Sequence, residues 1–170
     1  NWNISHDLPE YALSGTYKVR KLRITRGDLD DLDIIASTIN SKGFESNVSL
    51  QNSRQDIVNP VLQSISDFTI TGNDGDDATN IIVSFTASII EENLKEVRIF
   101  IRYPGGADKD FIGVINSDGS VSFSVELDPN ASSGDYLIDR FIIVDLAGNS
   151  VTYSNQELSN AGLNNKWILD

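Results

Sequence analysis

Residues 127–169, LDPNASSGDYLIDRFIIVDLAGNSVTYSNQELSNAGLNNKWIL, decide the fold, because the chain carries a second version of them. Residues 8–50, LPEYALSGTYKVRKLRITRGDLDDLDIIASTINSKGFESNVSL, align onto them without a gap, Gly15 falling on Gly134 at a constant offset of 119. Ala12, Ser14, Gly15, Tyr17, Ile24, Gly43 and Leu50 recur as Ala131, Ser133, Gly134, Tyr136, Ile143, Gly162 and Leu169. Self-similarity at a fixed period is the signature of an array of structural repeats. The strands expected ahead of the second copy have no counterpart before Trp2. The chain is therefore expected to begin inside a module and to be a slice of a longer repeat protein.

Both copies read as β structure. Trp2, Ile4, His6 and Leu8 alternate with polar residues, as do Val121, Phe123, Val125 and Leu127, the period of a half-buried strand. A turn ending in Gly15 or Gly134 follows, where glycine supplies a backbone angle other residues adopt at a steric cost. Long strands are expected over Thr16–Thr25 and Asp135–Val144. A shift of parity predicts a bulge or bend near Arg20 and Asp139. Polar turns lead to short strands at Leu32–Ala36 and Ser150–Tyr153. Gln156, Glu157 and Leu158 can form a helical turn closed by Gly162, and a last strand runs through Val48 and Leu50, or Trp167 and Leu169.

The segment between the copies occurs once. A polar stretch before Pro60 reads as an extended linker. Strands are expected at Val61–Ile70, around Ile81–Ala87, around Val97–Tyr103 and at Phe111–Ile115, with Asp118-Gly119 as a hairpin turn. Roughly seven to nine short strands at regular spacing match an immunoglobulin-like sandwich. The expected fold is thus all-β: residues 1–54 form the C-terminal part of a first immunoglobulin-like module, and residues 55–170 a complete β-sandwich module.

Composition narrows the function. Against 13 Lys and Arg stand 25 Asp and Glu, a net charge of −12, which argues against nucleic acid as a partner because most of the surface would repel phosphates. The absence of cysteine excludes a thiolate metal site, a cysteine nucleophile and the disulfide of a eukaryotic secreted domain. No apolar run approaches the roughly 20 residues of a membrane-spanning helix, so membrane insertion is not expected.

Three stretches resemble the bacterial immunoglobulin-like modules of large secreted or cell-surface proteins. They are Asp56-Ile57-Val58-Asn59-Pro60-Val61-Leu62, Leu94-Lys95-Glu96-Val97-Arg98-Ile99-Phe100-Ile101, and Ser133-Gly134-Asp135-Tyr136 with Asp145-Leu146-Ala147-Gly148-Asn149. The last matches an S-G-x-Y … D-x-A-G-N ending. The first copy departs from it, having Arg26-Gly27-Asp28-Leu29-Asp30 at that turn. The resemblance covers about two thirds of the chain fully and implies a secreted or surface location in a bacterium. It also implies a spacer role, or a place beside catalytic or adhesive domains, with neighbouring modules as partners and glycans or cell-surface ligands as further ones. A fold alone fixes no function.

Calcium is the candidate cofactor. Asn73, Asp74, Asp76 and Asp77 crowd one turn, and Asp28, Asp30, Asp31 and Asp33 another. Clustered carboxylates supply the oxygens calcium needs, although the same residues suit a solvated turn or a charged edge that blocks aggregation. Asp56 with Glu91, Glu92 or Asp145 is a third candidate, a junction site of the sort found in calcium-stiffened arrays. The single histidine, His6, reads as a strand residue; without cysteine it makes no zinc site, and no catalytic triad or phosphate loop is present. Trp2, Trp167, Tyr11, Tyr103 and Tyr153 could form a sugar-stacking platform, but both tryptophans fall in phase with core positions. The expected function is that of a non-catalytic structural or adhesive module; the alternative is a carbohydrate-binding accessory module of a secreted hydrolase.

Overall fold

The computed structural model describes residues 7, 10–26, 29–72 and 80–170, with the backbone alone at residues 25, 26 and 29–31. The strand expected from Trp2 to Leu8, with His6 in it, lies outside them. Among the described residues the protein is all-β apart from two short helices, and it divides into two compact units, Asn1–Ile57 and Val58–Asp170.

The first unit contains β1 (Gly15–Lys18), β2 (Lys21–Arg26), β3 (Leu29–Ile35), α1 (Ala36–Ser41) and β4 (Asn47–Leu50). Strand β1 pairs antiparallel with β4, and β2 with β3. The single strand expected over Thr16–Thr25 is interrupted at Val19 and Arg20, where the chain changes partner: Val19 N donates to Ser46 O (2.7 Å), and Arg20 O accepts from Ala36 N (3.0 Å).

The second unit contains β5 (Val61–Ile65), β6 (Thr69–Thr71), β7 (Ile81–Ile90), β8 (Leu94–Arg102), β9 (Asp108–Ile112), β10 (Val114–Ile115), β11 (Val121–Leu127), β12 (Gly134–Asp145), β13 (Ser150–Ser154), α2 (Asn155–Asn160) and β14 (Lys166–Leu169). One sheet runs β10-β11-β7-β5, with β6 also on β7; the other runs β13-β12-β8-β9, with β14 also on β12. All pairings are antiparallel. The residues on the inner faces alternate as a pleated strand requires: Ile81, Val83, Phe85, Ala87 and Ile89 on β7, and Val121, Phe123, Val125 and Leu127 on β11, are buried. They form one apolar cluster with Val97, Ile99 and Ile101 of β8 and the inner residues of β12. Each large side chain removed from water there contributes about 1.5–3 kcal/mol. Within one sheet Phe85 stacks on its cross-strand partner Phe123 (4.9 Å between centroids), and Phe123 meets Phe141 of the other sheet edge-on (5.7 Å). Two antiparallel sheets over one core fit a β-sandwich.

Two expected strands are broken for identifiable reasons. Val61–Ile70 divides at Ser66–Phe68: Ser66 Oγ takes the Thr86 N–H (2.9 Å) in place of a regular ladder bond, and Phe68 packs between Phe85 (4.9 Å) and Trp167 (5.1 Å). Phe111–Ile115 changes sheets at Gly113, for β9 pairs with β8 whereas β10 pairs with β11. A Cβ on Gly113 would lie 2.4 Å from Val121 Cγ1 and 2.7 Å from Phe123 Cζ. Only glycine lets the chain cross that close to the core.

Several bonds of the two units share residue positions at the offset of 119. Gly15 pairs with Leu50 and Tyr17 with Val48; Gly134 pairs with Leu169 and Tyr136 with Trp167. Lys21 pairs with Ile35, and Arg140 with Ser154. Tyr17 Oη donates to Leu13 O (2.7 Å), and Tyr136 Oη to Ser132 O (2.9 Å). Ile138 N donates to Asn165 O (2.8 Å) as Val19 N does to Ser46 O. The bulge expected near Asp139 is present as a register shift between Ile138 and Arg140.

Trp167 is buried, stacks on Tyr136 (5.5 Å), and leaves its Nε1 without a hydrogen-bond partner. An orphaned buried donor costs about 1–3 kcal/mol. Trp167→Phe should therefore change stability by less than about 1 kcal/mol, since the lost ring area is offset by removal of the orphan, while Trp167→Ala should cost about 3–5 kcal/mol. Urea denaturation of both variants is the check. Gly113→Ala should cost about 1–3 kcal/mol by overpacking, read in the same way.

Candidate functional site

The chemistry-bearing residues of the second unit gather where β12 ends. The bulge keeps β12 in phase with the core beyond Asp139, so the alternation that buries Phe141 and Ile143 also buries Asp145. A buried carboxylate needs partners, and the turn after it supplies them. Asp145 Oδ1 accepts from Asn149 N (2.8 Å) and Oδ2 from Asn149 Nδ2 (2.8 Å). The turn closes through Asp145 N to Asn149 O (3.1 Å) and Gly148 N to Asp145 O (3.3 Å), with Gly148 at φ 93°. These bonds are the physical content of the D-x-A-G-N pattern.

The β7–β8 turn lies against it: Leu146 N donates to Asn93 O (2.8 Å). Glu91 Oε1 accepts from Asn93 N (2.8 Å), and a carboxylate oxygen of Glu91 lies within 4.8 Å of one of Asp145. Two carboxylates at that spacing, without cysteine or histidine, offer an all-oxygen donor set. Such a set suits a hard divalent cation such as calcium.

The other expected ligands are distributed differently. Asn73, Asp74, Asp76, Asp77 and Asp28 lie outside the described residues. Asp30 lies on β3, its side chain outside the description, and Asp56 belongs to the first unit. Asp33 is committed elsewhere: its carboxylate accepts from Lys21 Nζ (3.0 Å) and Arg23 Nε (2.9 Å) across the β2–β3 ladder. Sequence reading missed that pairing, though Lys21, Arg23 and Asp33 alternate toward one face of a hairpin. Of the expected aromatic platform, Trp167 is buried, and Tyr103 and Tyr153 pack against the core cluster. Tyr103 meets Tyr136 edge-on (5.2 Å), and Tyr153 Oη accepts from Leu62 N (3.2 Å). Trp2 lies outside the described residues. No helix among the described residues is long and apolar enough to cross a membrane.

No protein-family model, curated protein or solved structure matches this chain.

Truncating Asn149 would strip the buried Asp145 carboxylate of its side-chain donor, Nδ2, and leave the backbone N–H of residue 149 in place. A hydrogen bond to a charged group is worth about 1.5–3 kcal/mol, so Asn149→Ala should destabilise the protein by about 2 kcal/mol, while Asn130→Ala in an exposed turn should stay within about 0.5 kcal/mol. Chemical denaturation of the two variants gives the comparison. The hydrogen bonds from Arg23, then those from Lys21, lower the Asp33 pKa to about 2. A depressed carboxylate stabilises the fold above its unfolded value, and that stabilisation is lost as pH falls through the folded one. The Asp33 contribution should be complete above about pH 4 and gone below about pH 2. A carbon-detected NMR titration of the Asp33 carboxyl should give a midpoint near 2; a midpoint near 4 would dissolve the ion pair.

Proposed function

We propose that the chain is a non-catalytic structural or adhesive stretch of a bacterial extracellular multidomain protein, built from immunoglobulin-like modules in tandem. Residues 1–54 are the C-terminal part of one module and residues 55–170 a complete second. The observation that carries this reading is the recurrence at one offset of strand pairings, turn bonds and the Tyr17 and Tyr136 hydroxyl contacts. A tyrosine near a strand start whose hydroxyl reaches back to the backbone a few residues upstream is a feature of immunoglobulin sandwiches. The two antiparallel sheets over one core support the same reading. A spacer or adhesive role then follows from the resemblance of Ser133–Tyr136 and Asp145–Asn149 to the modules of such arrays. Neighbouring modules are the first partners, and glycans or surface ligands the further ones.

Calcium belongs to this proposal as a stiffening ion, with Asp145 and Glu91 as ligands. A cation bound only by the native state raises stability by linkage, about 2.7 kcal/mol at a hundredfold excess over its dissociation constant. Millimolar calcium should raise the melting temperature by several degrees over chelator, and Asp145→Asn should abolish the increment. A melting curve indifferent to calcium would remove the ion from the proposal and leave the module reading in place. A crystal structure tests that reading: if residues 10–50 and 129–169 do not superpose with the same strand order, it fails.

A further inference from the structure

The polar stretch between Leu50 and Pro60 is fastened to the first unit over its first half. Asn52 uses its whole side-chain amide: Nδ2 donates to Glu10 O (2.7 Å) and to Ala12 O (2.8 Å), and Oδ1 accepts from Arg54 N (3.0 Å). Its backbone is matched by a single hydroxyl, Ser14 Oγ, which accepts from Asn52 N (2.9 Å) and donates to Asn52 O (3.2 Å). Gln55 Oε1 accepts from Ser14 N (2.8 Å), and Arg54 is ion-paired with Glu10. Residues 52–55 thus lie as a strap across the turn that leads into β1. An aspartate at position 52 would keep the acceptor and lose both donors.

The strap is held without apolar burial. Residues 51–55 are Gln, Asn, Ser, Arg and Gln, and all but Asn52 are exposed. The ion pair is at the surface, its side chains 71% and 53% exposed, where salt screens it. Opening the strap exchanges protein hydrogen bonds for bonds to water and uncovers almost no apolar surface. Segments held in that way open locally, well below the free energy of global unfolding. The neighbouring bonds of the unit, the β1–β4 ladder and Val19 N to Ser46 O, use none of the strap residues and stay closed.

We propose that residues 51–55 are a releasable strap that sets the length of the connection leaving the first unit. Closed, the connection starts after Gln55. Open, it starts after Leu50, the end of β4, and the five released residues add up to roughly 17 Å of extended chain. One sequence thereby offers a short, ordered connection and a longer, flexible one, with every strand pair intact. Rising ionic strength favours the long form by weakening the Arg54–Glu10 pair. In a chain of tandem modules the strap gives two spacings between neighbours. That role rests on the module reading; the strap itself does not.

The test uses the full 170-residue chain, isotope-labelled for NMR. In native-state hydrogen exchange, the amides of Ser14 and Asn52 should share one opening that is indifferent to low urea, because urea acts in proportion to the surface exposed. The Val19 amide should depend on urea steeply. Asn52→Asp, which removes two donors, should speed exchange at Ser14 and residue 52 by about tenfold or more. It should also lower the order parameters of residues 51–55 below about 0.6, and leave Val19 and Ile138 unchanged. Ser14→Ala undoes the strap from the other side and should free residues 51–55 in the same way. The chain has no cysteine of its own, so Lys42→Cys with Ser117→Cys places two dyes for single-molecule energy transfer. Asn52→Asp should broaden the dye distances and move their far edge outward. Unprotected Ser14 and Asn52 amides in the unaltered chain, or an opening as urea-dependent as that of Val19, would overturn the strap. Dye distances unchanged by Asn52→Asp would overturn its control of length. A strap that behaves as expected in a chain whose residues 10–50 and 129–169 do not superpose would leave the strap standing and remove the module reading; a failed strap with superposing segments would do the reverse.

Discussion

One extra residue at Asp139 sets the phase of the second sheet. Tyr136 and Ile138 point into the core, and strict alternation would next send Arg140 and Ile142 inward. The register shift between Ile138 and Arg140 hands those places to Phe141 and Ile143 instead. Arg140 then faces outward, over Phe100. The same shift carries Asp145 inward at the strand's end, and a buried carboxylate obliges the next turn to provide donors. Asn149 meets that demand with its backbone and side-chain N–H groups, so a bulge midway along a 12-residue strand dictates the composition of the turn that follows it.

Where local pattern and tertiary demand coincide, the sequence was readable. The alternations at Ile81–Ala87 and Val121–Leu127 place the core, and the parity shift at Asp139 marks the bulge, because each is written in consecutive residues. The helical turn at Gln156–Leu158 is present within α2, where Ser154 and Glu157 form a capping box. Hydrogen bonds from Ser154 hold the Glu157 carboxyl below the usual range. What escaped was partner choice. Nothing in Phe111–Ile115 indicates that Gly113 is the step between two sheets; that depends on Val121 and Phe123 arriving from later in the chain. Nor does the alternation of Val61–Ile70 reveal that Phe68 leaves the ladder to reach Trp167.

The candidate site was legible in composition and obscure in arrangement. Asp145 was visible as an acidic residue in a turn, yet its burial follows from the phase of β12, and Asn149 as its clamp follows from that burial. Asp33 was read as part of an acidic cluster, although its neighbours across the ladder are cations. Counting like charges along a sequence overlooks opposite charges brought together by a hairpin, and a two-residue alternation on both strands was the available signal.

The first and last strands of the second unit, β5 and β14, belong to opposite sheets. Tension applied through the chain ends would enter one layer and leave by the other, crossing the apolar core on the way. Side-chain ties across that path include Leu62 N to Tyr153 Oη at 3.2 Å, and Asn164 Nδ2 to Asp67 Oδ1 at 2.9 Å and to Ile65 O at 3.3 Å. Under load these tethers and the interlocked rings resist together as the layers are drawn past one another. The resilience of the unit to pulling is thus a property of its packed interior, shared over many small contacts, with no single covalent staple to hold or to fail.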